Sequence, residues 1–340
     1  MKKLLTGAAV VIGTVALSVA ALVGRRYLTL RDAIATVPPQ FRSSLVWLSA
    51  ENHERTLWFN RIVNGRIPIP PGPGVTATTR EVGEPSVPVL IVTPDGTRRR
   101  PGVLYLHGGG AVFGSAKAEG IVAGRWARDL DAVVFSPDYR LAPENPFPAA
   151  IDDCLTVLHW MHDNADELGI DPQRLAVTGT SAGAGLSAVV AQRAYDEGIT
   201  LRAQVLVGPW LDDLATLGDY GVRNYPTRGR LMLTPRSNMF AWKSYLGHEP
   251  RPDDDRKYIA AARREDLAGL APAWLGVGDF DLLHDESVAY AQRLQAAGVA
   301  CELFTVPGMY HSAEALAPHT PEMKAFNGSA VNFLRAYLDT

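Results

Sequence analysis

From Val75 onward, short apolar runs alternate with amphipathic stretches, and few folds can be built from that alternation. The runs are Val75–Val82, Val87–Val92, Val103–Leu106, Ala132–Phe135, Leu175–Val177, Ala203–Val207, Ala273–Val277 and Cys301–Val306. Helical stretches separate most of the later ones, near 117–130, 147–164, 182–197, 284–298 and 321–338. A strand that is apolar at successive positions is buried on both faces. The pattern therefore predicts an α/β domain with a mostly parallel central sheet and helices on both faces. No internal repeat or low-complexity tract interrupts it.

Composition removes several other classes. Apolar residues make up 47% and charged residues 20% of the 340, which excludes a disordered chain, a collagen-like repeat and a disulfide-dense miniprotein. The 33 Lys and Arg against 36 Asp and Glu leave a net charge of −3, with no basic footprint for nucleic acid. The densest basic run, Arg98-Arg99-Arg100, reads as turn-capping. Cys154 and Cys301 are far apart and form no CxxC pair, so they predict two separately buried thiols and no cysteine metal site.

The amino terminus stands apart. Lys2 and Lys3 precede an apolar run from Leu4 to Gly24, closed by Arg25 and Arg26. About 20 helical residues span a bilayer core of about 30 Å, so residues 4–24 are long enough. An uncleaved membrane anchor is the first reading and a signal cleaved on export the second, with Ser18-Val19-Ala20 as the cleavage site. A helix packed on the soluble domain is the third. Cytoplasmic placement is the least favoured.

The stretch from about 27 to 75 reads as helical, with Leu45, Trp47, Leu48, Leu57, Trp58 and Phe59 in amphipathic spacing, until Ile67–Gly74 breaks it with prolines. About 65 residues then separate Val207 from Ala273, a length that in a regular α/β chain marks a functional insertion such as a lid. The resulting division is a segment over 1–26, cap helices over 27–74, and a catalytic domain over 75–340 with a cap insertion at about 210–265.

Gly179-Thr-Ser181-Ala-Gly183 follows an apolar run and precedes a helical one, the setting in which GxSxG places a nucleophilic serine on a tight elbow. The helix begins just after Ser181, so free N–H groups and a positive dipole end favour a developing anion there. His107-Gly-Gly-Gly110 follows an earlier strand. Its exposed N–H groups can meet that of Ala182 around one oxygen atom as an oxyanion hole, where losing a donor costs about 2.7–4 kcal/mol. His107 is expected to hold this loop. His311, after the last strand, is the candidate base, and Asp279, Asp281 and Asp285 are all placed to be its acid. Asp285 and Glu286 also suit the amino end of a helix, and His284 is given no role.

Together these segments resemble the hormone-sensitive-lipase-like branch of the α/β-hydrolases. The resemblance rests on His107–Gly110 (HGGG), Asp138–Glu144 (DYRLAPE) with Phe147–Ala150 (FPAA), Gly179–Gly183 (GTSAG), Asp281–Glu286 and Gly308–His311. It implies an α/β-hydrolase fold with a helical cap, Ser181 as nucleophile, His311 as base and Asp281 as the acid that orients it. It further implies Gly109, Gly110 and Ala182 as oxyanion donors, no cofactor or metal, and a structural role for the Arg140 and Glu144 block. Leu282 stands where the branch usually has proline, and Ser312-Ala313 where it has Gly-Phe. The implied activity is hydrolysis of small-molecule esters with short- to medium-chain acyl groups, through an acyl-enzyme. Amide or acetyl-group hydrolysis is the alternative on the same machinery. A non-catalytic binding protein on this scaffold, such as the plant gibberellin receptors that lack the triad histidine, is disfavoured because all three candidate residues persist.

Overall fold

The computed structural model describes residues 24, 27–28, 30–48, 51–65, 67–219 and 225–339. The segment 4–24, expected to anchor the chain or to be cleaved, lies outside the described residues except for Gly24. Among the described residues, no helix is long and apolar enough to cross a membrane.

Eight strands form one sheet: β1 (Val75–Val82), β2 (Val87–Pro94), β3 (Arg100–Leu106), β4 (Val133–Pro137), β5 (Ile170–Thr180), β6 (Ala203–Val207), β7 (Ala273–Gly278) and β8 (Cys301–Val306). Their order is β1-β2-β4-β3-β5-β6-β7-β8, with β2 antiparallel to both its neighbours and every other pair parallel. Strands β3, β4, β6 and β7 are buried along their whole length, in keeping with their largely apolar runs. The edge strand β1 is polar and exposed, which discourages pairing with another chain.

Successive side chains of a strand point to opposite faces, and here each face is covered. Leu104, Leu106, Val177, Leu206 and Leu275 pack beneath α3 (Ala149–Asp163), α4 (Ala182–Asp196) and α6 (His284–Ala296). Their neighbours Val103, Tyr105, Ala176, Val205 and Trp274 pack on the other side against α2 (Gly120–Leu130) and α7 (Pro321–Leu338). Arg98 and Arg100 both pair with Asp131 at the end of α2, so the basic run is structural. Both cysteines are free, Cys154 buried and Cys301 half-buried.

The region before β1 is less helical than its spacing predicts. It contains a helix through 30–36, short 3-10 turns at Pro39–Phe41 and Ser44–Leu48, and α1 (Leu57–Gly65). Pro38 and Pro39 lack the N–H groups a continuous helix would need. The insertion between β6 and β7 has one α-helix among its described residues, α5 (Pro235–Leu246). Thr234 caps α5 by accepting the Ser237 N–H, and Pro235 occupies its first turn. Trp242 of α5 stacks on Trp210 at 3.5 Å between ring centroids and is fully buried, so this helix is fixed to the main core. The two candidate cap segments also touch: the Asn52 N–H donates to Ser237 Oγ at 2.9 Å, and Thr234 Oγ1 to Glu51 Oε1 at 2.9 Å.

The irregular part of the insertion hangs on a buried ion pair. Arg263 donates two bonds, 2.8 and 2.5 Å, to Asp213, which has no exposed surface. Replacing Arg263 with Ala leaves that carboxylate buried without its cation, a situation that typically costs 3–5 kcal/mol. Urea unfolding of Arg263→Ala is expected to show a loss of about 3–5 kcal/mol relative to wild type.

Candidate active site

β5 ends at Thr180 and α4 begins at Ala182, so Ser181 alone makes the turn. Its backbone is driven to φ 54°, ψ −121°, a strained region that a non-glycine residue adopts only when its surroundings enforce it. Two glycines allow the turn to be that tight. A Cβ on Gly183 would stand 2.1 Å from the carbonyl oxygen of Leu106, and one on Gly179 2.5 Å from the Gly183 backbone. The Ser181 N–H is tied to the Val207 carbonyl at 2.8 Å, locking the elbow to the end of β6.

His311, on the turn after β8, brings Nε2 to 2.9 Å from Ser181 Oγ and Nδ1 to 2.8 Å from Asp281 Oδ2. Asp281 is 1% exposed, and its second oxygen accepts the Leu283 N–H at 3.0 Å, so the carboxylate cannot swing away. The three acids that spacing left open take different places. Asp279 accepts the Gly308 N–H at 2.5 Å and shapes the turn leading to His311. Asp285 lies at the surface against Arg228 at 2.6 Å, with His284 beside it. Only Asp281 reaches the imidazole.

Burial pulls the His311 imidazole down, but the charge of Asp281 and its hydrogen bond outweigh this, with Glu314 adding to them, and the net direction is up from 6.5. Burial also raises Glu314, against the pull of His311. Ser312 follows in the left-handed region at φ 63°, a conformation that explains why the branch usually places glycine there. Leu282, in place of proline, is buried and packs against Gly229 of the insertion.

The loop after β3 lies directly beside the serine, since a Cβ on Gly108 would be 3.1 Å from Thr180 Oγ1 and 3.6 Å from Ser181 Cβ. Gly109 (φ 117°) and Gly110 (φ 62°) adopt conformations that side chains disfavour, and among the described residues neither donates its N–H to a protein acceptor. Ala182 opens α4, so its N–H has no carbonyl to reach within the helix. The loop that carries two of the donors predicted to share an oxyanion thus lies beside Ser181, and the third, Ala182, directly follows it.

What braces this loop was only partly visible in the sequence. His107 stacks on Tyr139 at 4.1 Å and 7°, and the Tyr139 hydroxyl donates to the His107 carbonyl at 2.8 Å. Arg140 meets Asp153 at 2.7 Å, while Glu144 accepts from Arg61 of α1 at 2.6 Å. Sequence reasoning missed Glu119. One of its oxygens accepts the Gly108 N–H at 3.2 Å and the other accepts the buried Tyr105 hydroxyl. Burial and the Glu119 charge both push that phenol well up, so it stays a donor. The signal was Tyr105 itself, because a phenol on a wholly buried strand needs an acceptor. Glu286 stands in the first turn of α6, as its position in the sequence suggests, and does more than favour that helix end. It is buried, its carboxyl pushed well up by burial, and it takes the Leu211 N–H at 2.8 Å to pin the start of the insertion.

Comparison with known proteins places the fold in a family. The profile of a family described by the alpha/beta hydrolase fold matches residues 103–315. The chain belongs to the α/β-hydrolase family. It falls in the hormone-sensitive-lipase-like branch. It is 38% identical over 233 residues to carboxylesterase NlhH of Mycobacterium tuberculosis, covering 67% of this chain and 72% of that one. Carboxylic ester hydrolase LipN of the same organism is 34% identical over 279 residues, 79% of this chain and 73% of LipN. Among solved structures, a bacterial heroin esterase superposes with a TM-score of 0.82 at 33% identity, over 90% of this chain and 99% of that one.

With His311 as the expected base, only its neutral form can accept a proton, so activity should fall as pH drops through the His311 pKa, with a midpoint above 6.5. Asp281→Asn removes the upward pull of the carboxylate while burial remains. The midpoint of the kcat/KM profile should then shift to lower pH, and kcat should fall by roughly 10⁴-fold, the loss typical when the orienting acid is neutralised. An unchanged midpoint would show that Asp281 does not govern the histidine.

Proposed function

We propose that the protein is a serine carboxylic-ester hydrolase that cleaves short- to medium-chain acyl esters through an acyl-enzyme. The observation that carries this reading is the unbroken line from Ser181 Oγ through His311 to Asp281. As Oγ attacks the ester carbonyl, His311 Nε2 takes its proton and the buried Asp281 stabilises the resulting imidazolium. The carbonyl oxygen becomes an oxyanion held by the N–H groups of Gly109, Gly110 and Ala182. Collapse expels the alcohol, which leaves with the proton from His311. Water then repeats the sequence on the acyl-enzyme and releases the acid and Ser181.

Phe113 and Phe240, packed with Leu57, Val112 and Ala142 next to this loop, support a preference for compact acyl groups over long ones. The relatives' names, carboxylesterase and carboxylic ester hydrolase, support esters as the substrate class. The apolar run over residues 4–24 supports placing the chain at a membrane or exporting it across one.

Initial rates on p-nitrophenyl esters from acetate to palmitate test the proposal. Wild type is expected to favour acetate to hexanoate and to fall steeply toward palmitate. Ser181→Ala should lose roughly 10⁴-fold or more in kcat on every ester, and a fluorophosphonate should label wild type at Ser181. Full activity in Ser181→Ala would sink the serine mechanism, and an equal rate on palmitate would sink the chain-length assignment.

A further inference from the structure

A helix on the outside of a globular domain ordinarily turns its apolar stripe inward. Helix α1 does the reverse. Trp58, Phe59, Ile62 and Val63 fall at i, i+1, i+4 and i+5, which places them on one face, and all four are exposed, Trp58 to 64%. The inward side is largely polar. Asn60 is buried with its amide on Asn52, and Arg61 donates to the carbonyls of Val112 and Ala142 at 2.8 Å each and to Glu144. Leu57 is the one apolar side chain of α1 that is buried.

The apolar surface continues past the helix. Ser115 Oγ donates to the Gly65 carbonyl at 2.8 Å, so α1 ends against the loop that follows Gly109 and Gly110. The next segment crosses the start of α2, where the Ile69 N–H donates to the Lys117 carbonyl at 2.9 Å and the Ile69 carbonyl lies where a Cβ on Gly120 would be. Along this path Ile67, Ile69 and Ile121 are all exposed. Exposed charges nearby are Arg55, Lys117, Glu54 and Glu144, the last paired with Arg61 of α1. An apolar patch of this extent on a soluble face marks something that covers it.

We infer that this face docks on the surface of a lipid bilayer. Residues 4–24 supply the first reason, an apolar run of bilayer-spanning length in the same chain, and Tyr27 and Leu28 just beyond it are also exposed. The composition of the stripe supplies the second. A tryptophan and a phenylalanine beside aliphatic side chains, with Arg55 and Lys117 at the border, suit the region between headgroups and acyl chains. Docked this way, the loop carrying Gly109 and Gly110 sits next to the membrane, and esters dissolved in the bilayer reach the site without crossing bulk water.

The full-length chain reconstituted in phosphatidylcholine vesicles tests this. Wild type and Trp58→Phe are compared in ordinary lipid and in lipid brominated at carbons 6 and 7 of one acyl chain, since bromine quenches only the tryptophans it touches. Wild-type emission should drop in brominated vesicles, and that drop should be largely lost in Trp58→Phe. Equal emission in the two lipids, or equal quenching of both proteins, overturns the inference. If residues 4–24 or a second copy cover the stripe instead, Trp58 is shielded from aqueous iodide yet untouched by bromine, which also overturns it. Ester hydrolysis plays no part in the readout, so Ser181→Ala protein should behave as wild type, and failure of the proposed chemistry is distinguishable from failure of docking.

Discussion

A close backbone approach at the elbow is the constraint on which the rest of the site depends. Gly183 at the start of α4 lies against the last carbonyl of β3, so near that any side chain at Gly183 would overlap Leu106. That contact brings together two parts of the chain about 75 residues apart: the strand that ends in the glycine loop and the turn that carries Ser181. It also keeps Ser181 in its left-handed conformation, at a cost of about 1–3 kcal/mol. The parallel pairing of β3 with β5 and of β5 with β6 overcomes this cost, because relaxing the serine would break the ladder at its end.

Catalysis of acyl transfer requires donors already aimed at the oxyanion, since groups that must reorient during the reaction lose most of their benefit. A loop of three glycines has no stiffness of its own. Here it is clamped from several sides. Glu119 and Tyr105 hold the Gly108 N–H, Tyr139 holds the His107 ring and carbonyl, and Arg61 spans the Val112 carbonyl and Glu144. The DYRLAPE block therefore acts as the loop's scaffold, with Tyr139, Arg140 and Glu144 each bonded to a different element.

Most of the sheet was legible because burial on both faces leaves few polar positions in a strand, Ser136, Thr178 and Gln204 among them. All eight predicted runs lie at or within the observed strands, apart from Ala132 just before β4. The part of β5 from Ile170 to Arg174 was not legible, since Asp171, Pro172, Gln173 and Arg174 carry no strand signal and only Arg100 and Pro101 hold them in register. Ser181 and His311 could be named from motif and order. The acid could not be named from spacing, because Asp279, Asp281 and Asp285 all follow β7 within a few residues. Which one points at the imidazole is decided by the turn over 281–283, where the Leu283 N–H fixes the Asp281 carboxylate. Glu286 is hidden for a related reason, since it acts on the backbone of a different segment, and Glu119 is betrayed only indirectly, by the buried phenol of Tyr105 that needs an acceptor.

Helix α1 shows how one structural demand can fix which residues of a helix face outward without fixing their polarity. Arg61 must face inward to reach Val112, Ala142 and Glu144, and Asn60 turns inward beside it. With 3.6 residues per turn, those inward positions leave 58, 59, 62 and 63 to face out. Were those four polar, α1 would be an ordinary surface helix holding a loop through Arg61. They are Trp, Phe, Ile and Val instead, although bracing the loop does not require it. The outward apolar face is thus a feature added to the brace, and the same helix that steadies the Gly109–Gly110 loop carries it.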